Sequence, residues 1–334
     1  MRIGEAMLRT CGRAFGVTAA LMILGGPALA QDKIVITTDW APHGMHAGLH
    51  LAVQKGWFKD AGLNVEVQDG RGSGNTIQLV AANKIDVGFA QLGAMAPAIA
   101  GGLPVISVMG FIRAGDNGLM VPANAGYRTL QDLKGKKIAV PAGGATTVFL
   151  DAFLKGGGLS RKDLTVVSVD SQVMVSTYTS GQVEGALSTV AFFAPIVADV
   201  RPSTGILFSD VGLRIPGYGL VVHRDAVERR ADMLAKVVAV NRRVWEYIFK
   251  GHEDEGVDAM LSQRAGMRLE RKVLLGQLKA YMPLFDTPAT KGKPIGWQAE
   301  EDWRDALKTM EEVGSVKPGW QPATYYTNRF IPQH

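Results

Sequence analysis

Three histidines, His43, His46 and His50, fall within eight residues of one another, just after an Asp39-Trp40 pair. Imidazole titrates near neutral pH and is the commonest metal ligand. On a helix, His46 and His50 would share a face at the four-residue spacing that zinc sites use. No glutamate follows His46 in the pattern of a helical zinc protease. The only cysteine, Cys11, lies in the N-terminal segment, so no thiolate can complete a site further along. These residues fit one pocket histidine and two satisfied or exposed ones better than a metal centre. No metal and no cofactor is expected.

Nucleophile and phosphate chemistry is equally sparse. Gly72-Ser73-Gly74-Asn75 does not make the strained elbow that presents a catalytic serine. Neither it nor Gly143-Gly144 completes a dinucleotide-binding glycine pattern, and the Gly-Lys-Ser/Thr ending of a phosphate loop is absent. Glycines do allow a backbone to approach a ligand closely, and a following helix offers free N–H donors. Both loops are therefore candidate polar cradles, though each also serves as a tight strand-to-helix turn.

The elements that position these residues alternate. Strands are expected at 33–37, 63–67, 86–90 and 105–109, with helices at 46–55, 76–82 and 94–100 between them. The order returns about a hundred residues later, with strands at 137–140, 164–169 and 185–187 and helices at 146–154, 173–179 and 192–200. Ala61-Gly62-Leu63 corresponds to Gly157-Gly158-Leu159, and the run from Asn83 to Gly88 to that from Gly181 to Ala186. Two such units predict two similar α/β lobes, each with a mostly parallel sheet covered by helices. The first lobe is expected over 31–119 and 222–334, and the second over 120–221. The extended stretches 118–123 and 218–222 read as paired hinge crossings. A helical tail is expected at 226–249, 270–280 and 298–313, with a surface loop at 286–296.

In open parallel sheets, ligands sit beyond the carboxyl ends of the strands. The first lobe offers Asp39, Trp40, Ser73 and Gln91 there. The second offers Gly143, Gly144, Ala145, Thr146 and Thr189. Facing ends across a hinge would enclose a small molecule and exclude water.

Composition bounds the setting. Arg2, Arg9 and Arg13, an apolar run from Ala14 to Gly26 and the small residues Pro27 to Ala30 form a cleavable export signal, with cleavage after Ala30. Removing it takes three arginines and one glutamate from a net charge of +5, leaving about +3. So mild an excess, without a basic stripe, argues against nucleic acid. About 300 residues remain, enough for two domains.

Asp39-Trp40-Ala41-Pro42 followed by His46-Ala47-Gly48 resembles the thiamine-pyrimidine-precursor branch of the ABC-transporter periplasmic binding proteins. That branch shares its fold with riboflavin-, nitrate- and sulfonate-type binders. The stretch Gly56-Trp57-Phe58-Lys59 and the run from Leu130 to Ile138 resemble the wider superfamily. Ile215 to Gly219 and Tyr325 to Pro332 extend the likeness across nearly all of the chain after the export segment.

The resemblance implies a type II periplasmic binding protein fold, a location in the periplasm, and a monomer that hands its ligand to an inner-membrane ABC permease. It implies binding of flat nitrogen heterocycles such as pyrimidines, not catalysis. Trp40 and Tyr218 would then stack on the ligand, opposed by Phe192 or Phe193. Asp39, Gln91 and His46 would hydrogen-bond to it.

The sequence departs from the branch at His43, where asparagine is usual, and at Ala194, where a glutamate precedes the proline. A sulfonate, nitrate or aromatic carboxylate is the alternative ligand. Arg113, with Arg71 and Arg214, would supply its charge-assisted donors. Related eukaryotic pyrimidine synthases rely on a cysteine-rich segment, and residues 31–334 hold no cysteine.

Overall fold

The structure, a computed structural model, describes residues 33–142, 146–170 and 173–332. The expected export signal and the Gly143-Gly144-Ala145 loop lie outside the described residues. Among the described residues, ten strands form two five-stranded sheets: β1 (Lys33–Thr37), β2 (Asn64–Gln68), β3 (Val87–Gln91), β4 (Val105–Gly110), β5 (Asn117–Pro122), β6 (Lys137–Pro141), β7 (Thr165–Val169), β8 (Gly185–Thr189), β9 (Ser203–Leu207) and β10 (Tyr218–His223). The first sheet has the order β2-β1-β3-β10-β4 and the second β7-β6-β8-β5-β9.

Seven helices accompany the two strand units: α1 (Ala47–Gln54), α2 (Trp57–Asp60), α3 (Ser73–Ala81), α4 (Leu92–Ala100), α5 (Leu150–Gly156), α6 (Met174–Thr179) and α7 (Val190–Val197). Five more follow β10: α8 (Ala226–Arg229), α9 (Ala231–Ile248), α10 (Glu253–Gln263), α11 (Arg271–Tyr281) and α12 (Glu300–Glu312). Helices on both faces explain why strands such as β4 are buried along their whole length. Among the described residues no helix is long and apolar enough to cross a membrane.

The repeat expected from the sequence has an atomic counterpart. Gly62 and Gly158 take matching left-handed conformations (φ 77° and 74°), as do Asn83 and Gly181 (53° and 78°). Each pair turns the chain where a β-carbon is costly. Asp86 accepts from Val35 N at 2.7 Å, and its counterpart Glu184 accepts from Lys137 N at 2.9 Å. Each acid thus satisfies an amide of its unit's first strand. Pro97 and Pro195 are both the sixth residue of their helices, α4 and α7.

The extended stretches at 118–123 and 218–222 do not pair with each other. β5 lies antiparallel between β8 and β9 in the second sheet. β10 lies antiparallel between β3 and β4 in the first. The chain changes sheets before each of them, over 111–116 and 208–217.

Other expectations shift. The helix expected at 226–249 is broken at Arg230, whose extended φ of −129° separates α8 from α9 and whose guanidinium pairs with Asp86. α12 begins at Glu300, because Gln298 instead accepts hydrogen bonds from Ser107 Oγ (2.9 Å) and Trp303 Nε1 (3.3 Å). The stretch 286–296 is not simply surface loop. Thr287 and Thr290 are buried, Thr287 donates to Asp302 at 2.7 Å, and Gly296 O accepts from Gly110 N at 3.0 Å beside β4. α10 and β9 were not anticipated.

Candidate functional site

The site grows from the end of β1. Asp39 follows that strand and is 5% exposed. A short 3₁₀ turn, Gly44–His46, folds back over it. His43 and His46 cap this turn reciprocally. Met45 N donates to His43 Nδ1 and His43 N to His46 Nδ1, each at 3.4 Å. With both Nδ1 atoms accepting, the N–H of each ring belongs on Nε2. Both Nε2 atoms then donate to one oxygen, Asp39 Oδ1, at 3.3 Å from His43 and 2.8 Å from His46. The rings lie 3.8 Å apart, centroid to centroid.

This geometry sets the charges. Burial pushes the Asp39 carboxyl up, but the two imidazole hydrogen bonds and the histidines' electrostatic pull outweigh it, holding the carboxyl well below the usual range. Burial, with the neighbouring His43, lowers the His46 pKa to about 3 against the pull of Asp39. At neutral pH the cluster is a carboxylate clasped by a neutral His46.

The ligating atoms of Asp39, His43 and His46 lie within 4.8 Å of one another, close enough to share a cation. Their hydrogen bonds oppose it. A histidine that ligates through Nε2 normally donates from Nδ1, and here both Nδ1 atoms face backbone N–H groups. His50 is not among these ligating atoms, and its Nδ1 pairs with Gln263 Oε1 at 2.9 Å.

Aromatic rings surround the pair. Tyr218 opens β10 opposite Gln91 and lies 5.6 Å from His43. Gln91 Nε2 donates to its hydroxyl at 3.4 Å, and Phe89 stacks beneath it at 5.4 Å. Tyr281, from α11, stands edge-on to Tyr218 at 5.8 Å and 6.1 Å from His43. From the second sheet's side, Phe192 of α7 brings its ring edge to His43 at 5.6 Å. Burial raises both tyrosine hydroxyls well above their usual range, so each stays a neutral donor.

The two sides are joined through Gln277 of α11. Its Oε1 accepts from Gly44 N, and its Nε2 donates to Phe192 O, both at 2.9 Å. Gly44 must be glycine, because a β-carbon there would come within 2.5 Å of Leu274 O and Leu278 N. A surface pair, Lys272 with Asp199 at 2.7 Å, lies on the same two helices' flank.

Asp116 completes the enclosure. It sits in the crossing that precedes β5 and is 2% exposed. Its main-chain oxygen accepts from Val190 N at 2.9 Å and its Oδ2 from Ala191 N at 3.0 Å, so one residue holds the first turn of α7. The same role at α4 falls to Gly217 and Pro216 of the return crossing.

The structure thus gathers Asp39, His43, His46, Gln91, Tyr218 and Phe192, with Thr189 at the start of α7. Ser73 supports them from behind, its Oγ accepting from Gln91 N at 3.1 Å. Trp40 is not inside; it is 38% exposed at the rim, beside Gly72. Phe193 packs on Tyr178 in the second lobe's core. Thr146 is buried at the start of a 3₁₀ turn, its carbonyl accepting from Phe149 N.

Arg113 points elsewhere. Its guanidinium donates to Phe285 O, to Trp297 O at 2.6 Å, and to Asp286. Arg214 pairs loosely with Asp305 at the surface, and Arg71 is exposed. Tyr281, Gln277 and Asp116 escaped the sequence reading. The signal for the first two was a four-residue spacing on α11; for the third, an acid at the head of an apolar strand.

A family model described as NMT1/THI5 like matches residues 43–255. A Haemophilus influenzae protein named for thiamine biosynthesis is 30% identical over 223 residues, 66% of this chain and 70% of that protein. The formylaminopyrimidine-binding protein of Halalkalibacterium halodurans is 22% identical over 293 residues, 84% of this chain and 86% of that protein. Among solved structures, the periplasmic aliphatic sulphonate binding protein of Escherichia coli matches with a TM-score of 0.67 at 14% identity, over 88% of this chain and 92% of that one. The two mixed, helix-covered sheets therefore form the periplasmic binding protein fold expected from the sequence.

Proposed function

The chain belongs to the NMT1/THI5-like family, and on that premise we propose that it is the periplasmic solute-binding component of an ABC importer. It captures a small planar nitrogen heterocycle, a pyrimidine or a close analogue, between its two lobes and passes it to an inner-membrane permease. It performs no chemistry on the ligand. The observation that carries this reading is the convergence on His43 of Tyr218 and Tyr281 from one lobe and Phe192 from the other. Rings from both lobes lie 5.6–6.1 Å from His43 in direct contact, so parting the lobes would bare aromatic faces on both sides for a flat guest.

Charge supports the heterocycle over an anion. Anions need charge-assisted donors, and the guanidinium of Arg113 is spent on two carbonyls and Asp286. Neither Arg71 nor Arg214 is held at the cluster. The synthase alternative lacks its thiols, since no cysteine follows Cys11.

A thermal-shift screen of pyrimidines, flavins, purines, aromatic acids and sulfonates tests the reading. A pyrimidine or related heterocycle should raise the melting temperature in a concentration-dependent way and be recovered unchanged by mass spectrometry. Stabilisation by sulfonates or carboxylates alone would overturn the ligand class, and a converted product would overturn the non-catalytic role.

A further inference from the structure

Two buried side-chain oxygens stand out beside the cluster. Asp116 Oδ1 and the Tyr281 hydroxyl are buried without a well-formed hydrogen bond. A buried carboxylate oxygen left unpaired is costly. The carboxylate cannot swing away to relieve this, because Oδ2 is held by Ala191 N at 3.0 Å and the main chain by Val190 N at 2.9 Å. Asp116 lies within electrostatic reach of three members of the cluster, namely His43, Tyr218 and Tyr281. Among the described residues no cation is paired with it.

We infer that Asp116 is the specificity-determining residue of the cleft. Its free oxygen accepts a hydrogen bond from an exocyclic amino group, so the site selects amino-substituted heterocycles over isosteres without a donor. The inference rests on the proposed binding site and deepens it. Position 194, where a glutamate is usual in the resembled branch, is alanine here. The acceptor is supplied instead from the crossing between the sheets, where the residue that reads the ligand also holds α7. Asp39 differs in that its Oδ1 receives both histidines. The pKa of Asp116, raised to about 6 mainly by burial against the pull of its backbone donors, fits a carboxyl that has lost water while only Oδ2 has gained a donor.

The test compares 4-amino-2-methylpyrimidine with 2,4-dimethylpyrimidine, the same ring with the amino group replaced by methyl, by calorimetric titration. The proteins are the wild type, Asp116→Asn and Tyr218→Ala. Wild type should prefer the amino probe by roughly ten- to hundredfold, the scale of a hydrogen bond to a charged group. In Asp116→Asn the side-chain oxygen can still accept from Ala191 N, which turns an NH₂ toward the guest. The preference should then fall below about threefold, with affinity for the dimethyl probe within twofold of wild type. If Asp116→Asn is too unstable to purify, Asp116→Ser serves the same comparison with the same expectation.

An amino preference that survives in the Asp116 variants, with binding lost in Tyr218→Ala, overturns the role of Asp116 while the cleft stands. No binding of either probe by wild type, or binding unchanged in Tyr218→Ala, overturns the cleft itself and the inference with it.

Discussion

The side-chain amide of Gln277 donates to the carbonyl oxygen of Phe192 at 2.9 Å, tying the helix that follows the first lobe's core to the helix that begins after β8. The same amide accepts from Gly44 N at 2.9 Å. One buried side chain thus couples the histidine turn to the opposite lobe, and its loss would leave two main-chain groups without partners.

Gln277→Ala should therefore loosen the contact between the lobes without unfolding either. Each unsatisfied buried group costs about 1–3 kcal/mol. We expect a larger radius of gyration in small-angle scattering and ligand affinity reduced roughly tenfold or more. An unchanged radius with unchanged affinity would show that the bridge does not govern the approach of the lobes.

Arg113→Ala should act on stability alone. The substitution removes three interactions to Phe285, Trp297 and Asp286, a loss of about 3 kcal/mol or more. Chemical denaturation should report it, while the affinity of the folded fraction stays within twofold or so. A selective loss of affinity would return Arg113 to the ligand site.

Trp40→Ala should do the reverse. The ring is 38% exposed, so stability should change by less than about 0.5 kcal/mol. If the rim ring closes over the guest, affinity falls by a factor corresponding to about 1–3 kcal/mol.

His46 makes the fold acid-sensitive. Its pKa falls from 6.5 to about 3 on folding, chiefly through burial. The unfolded chain takes up the proton first, so the stability this group contributes is complete above about pH 6.5 and is lost as pH drops toward 3. Asp39, also lowered on folding, adds a loss of the same sign below its ordinary value of 3.8. Melting temperatures between pH 7 and pH 4 should fall less steeply in His46→Gln than in the wild type.

Asp116 acts with the opposite sign. Its pKa rises from 3.8 to about 6, so the folded state holds the proton more tightly. Stability from this group is full below about pH 4 and is lost as pH rises through 6. Asp116→Asn should therefore gain on the ligand-free wild type across that window, by on the order of 1–3 kcal/mol. Parallel pH series of melting temperature check it; a constant offset would exclude the titration.

What the sequence made legible is what local chemistry dictates. Gly62 and Gly158, and the paired acids Asp86 and Glu184, mark equivalent turns because strand-to-helix geometry imposes the same demands in each unit. Asp39 was found as a candidate because strand ends converge in this kind of sheet, whereas Tyr218 came from the family resemblance and His43 from the run of histidines. Arg113 looked free because the groups that engage it are remote in the chain. Its partners arrive from 172 and 184 residues away. Gln277 meets Gly44 across 233 positions, a separation at which periodicity carries no information. Asp116 reads as an ordinary loop acid until α7 is placed over it.

The exchange of β5 and β10 between the two halves has a bearing on how the chain matures. The second sheet draws all five strands from one unbroken stretch, 117–207, and can assemble as soon as that stretch has been synthesised and released. The first sheet remains a four-stranded fragment with a gap beside β3 until Tyr218–His223 arrives. Interruption of delivery anywhere between those points would strand a finished half beside an unfinished one, whose open edge invites pairing with a neighbour.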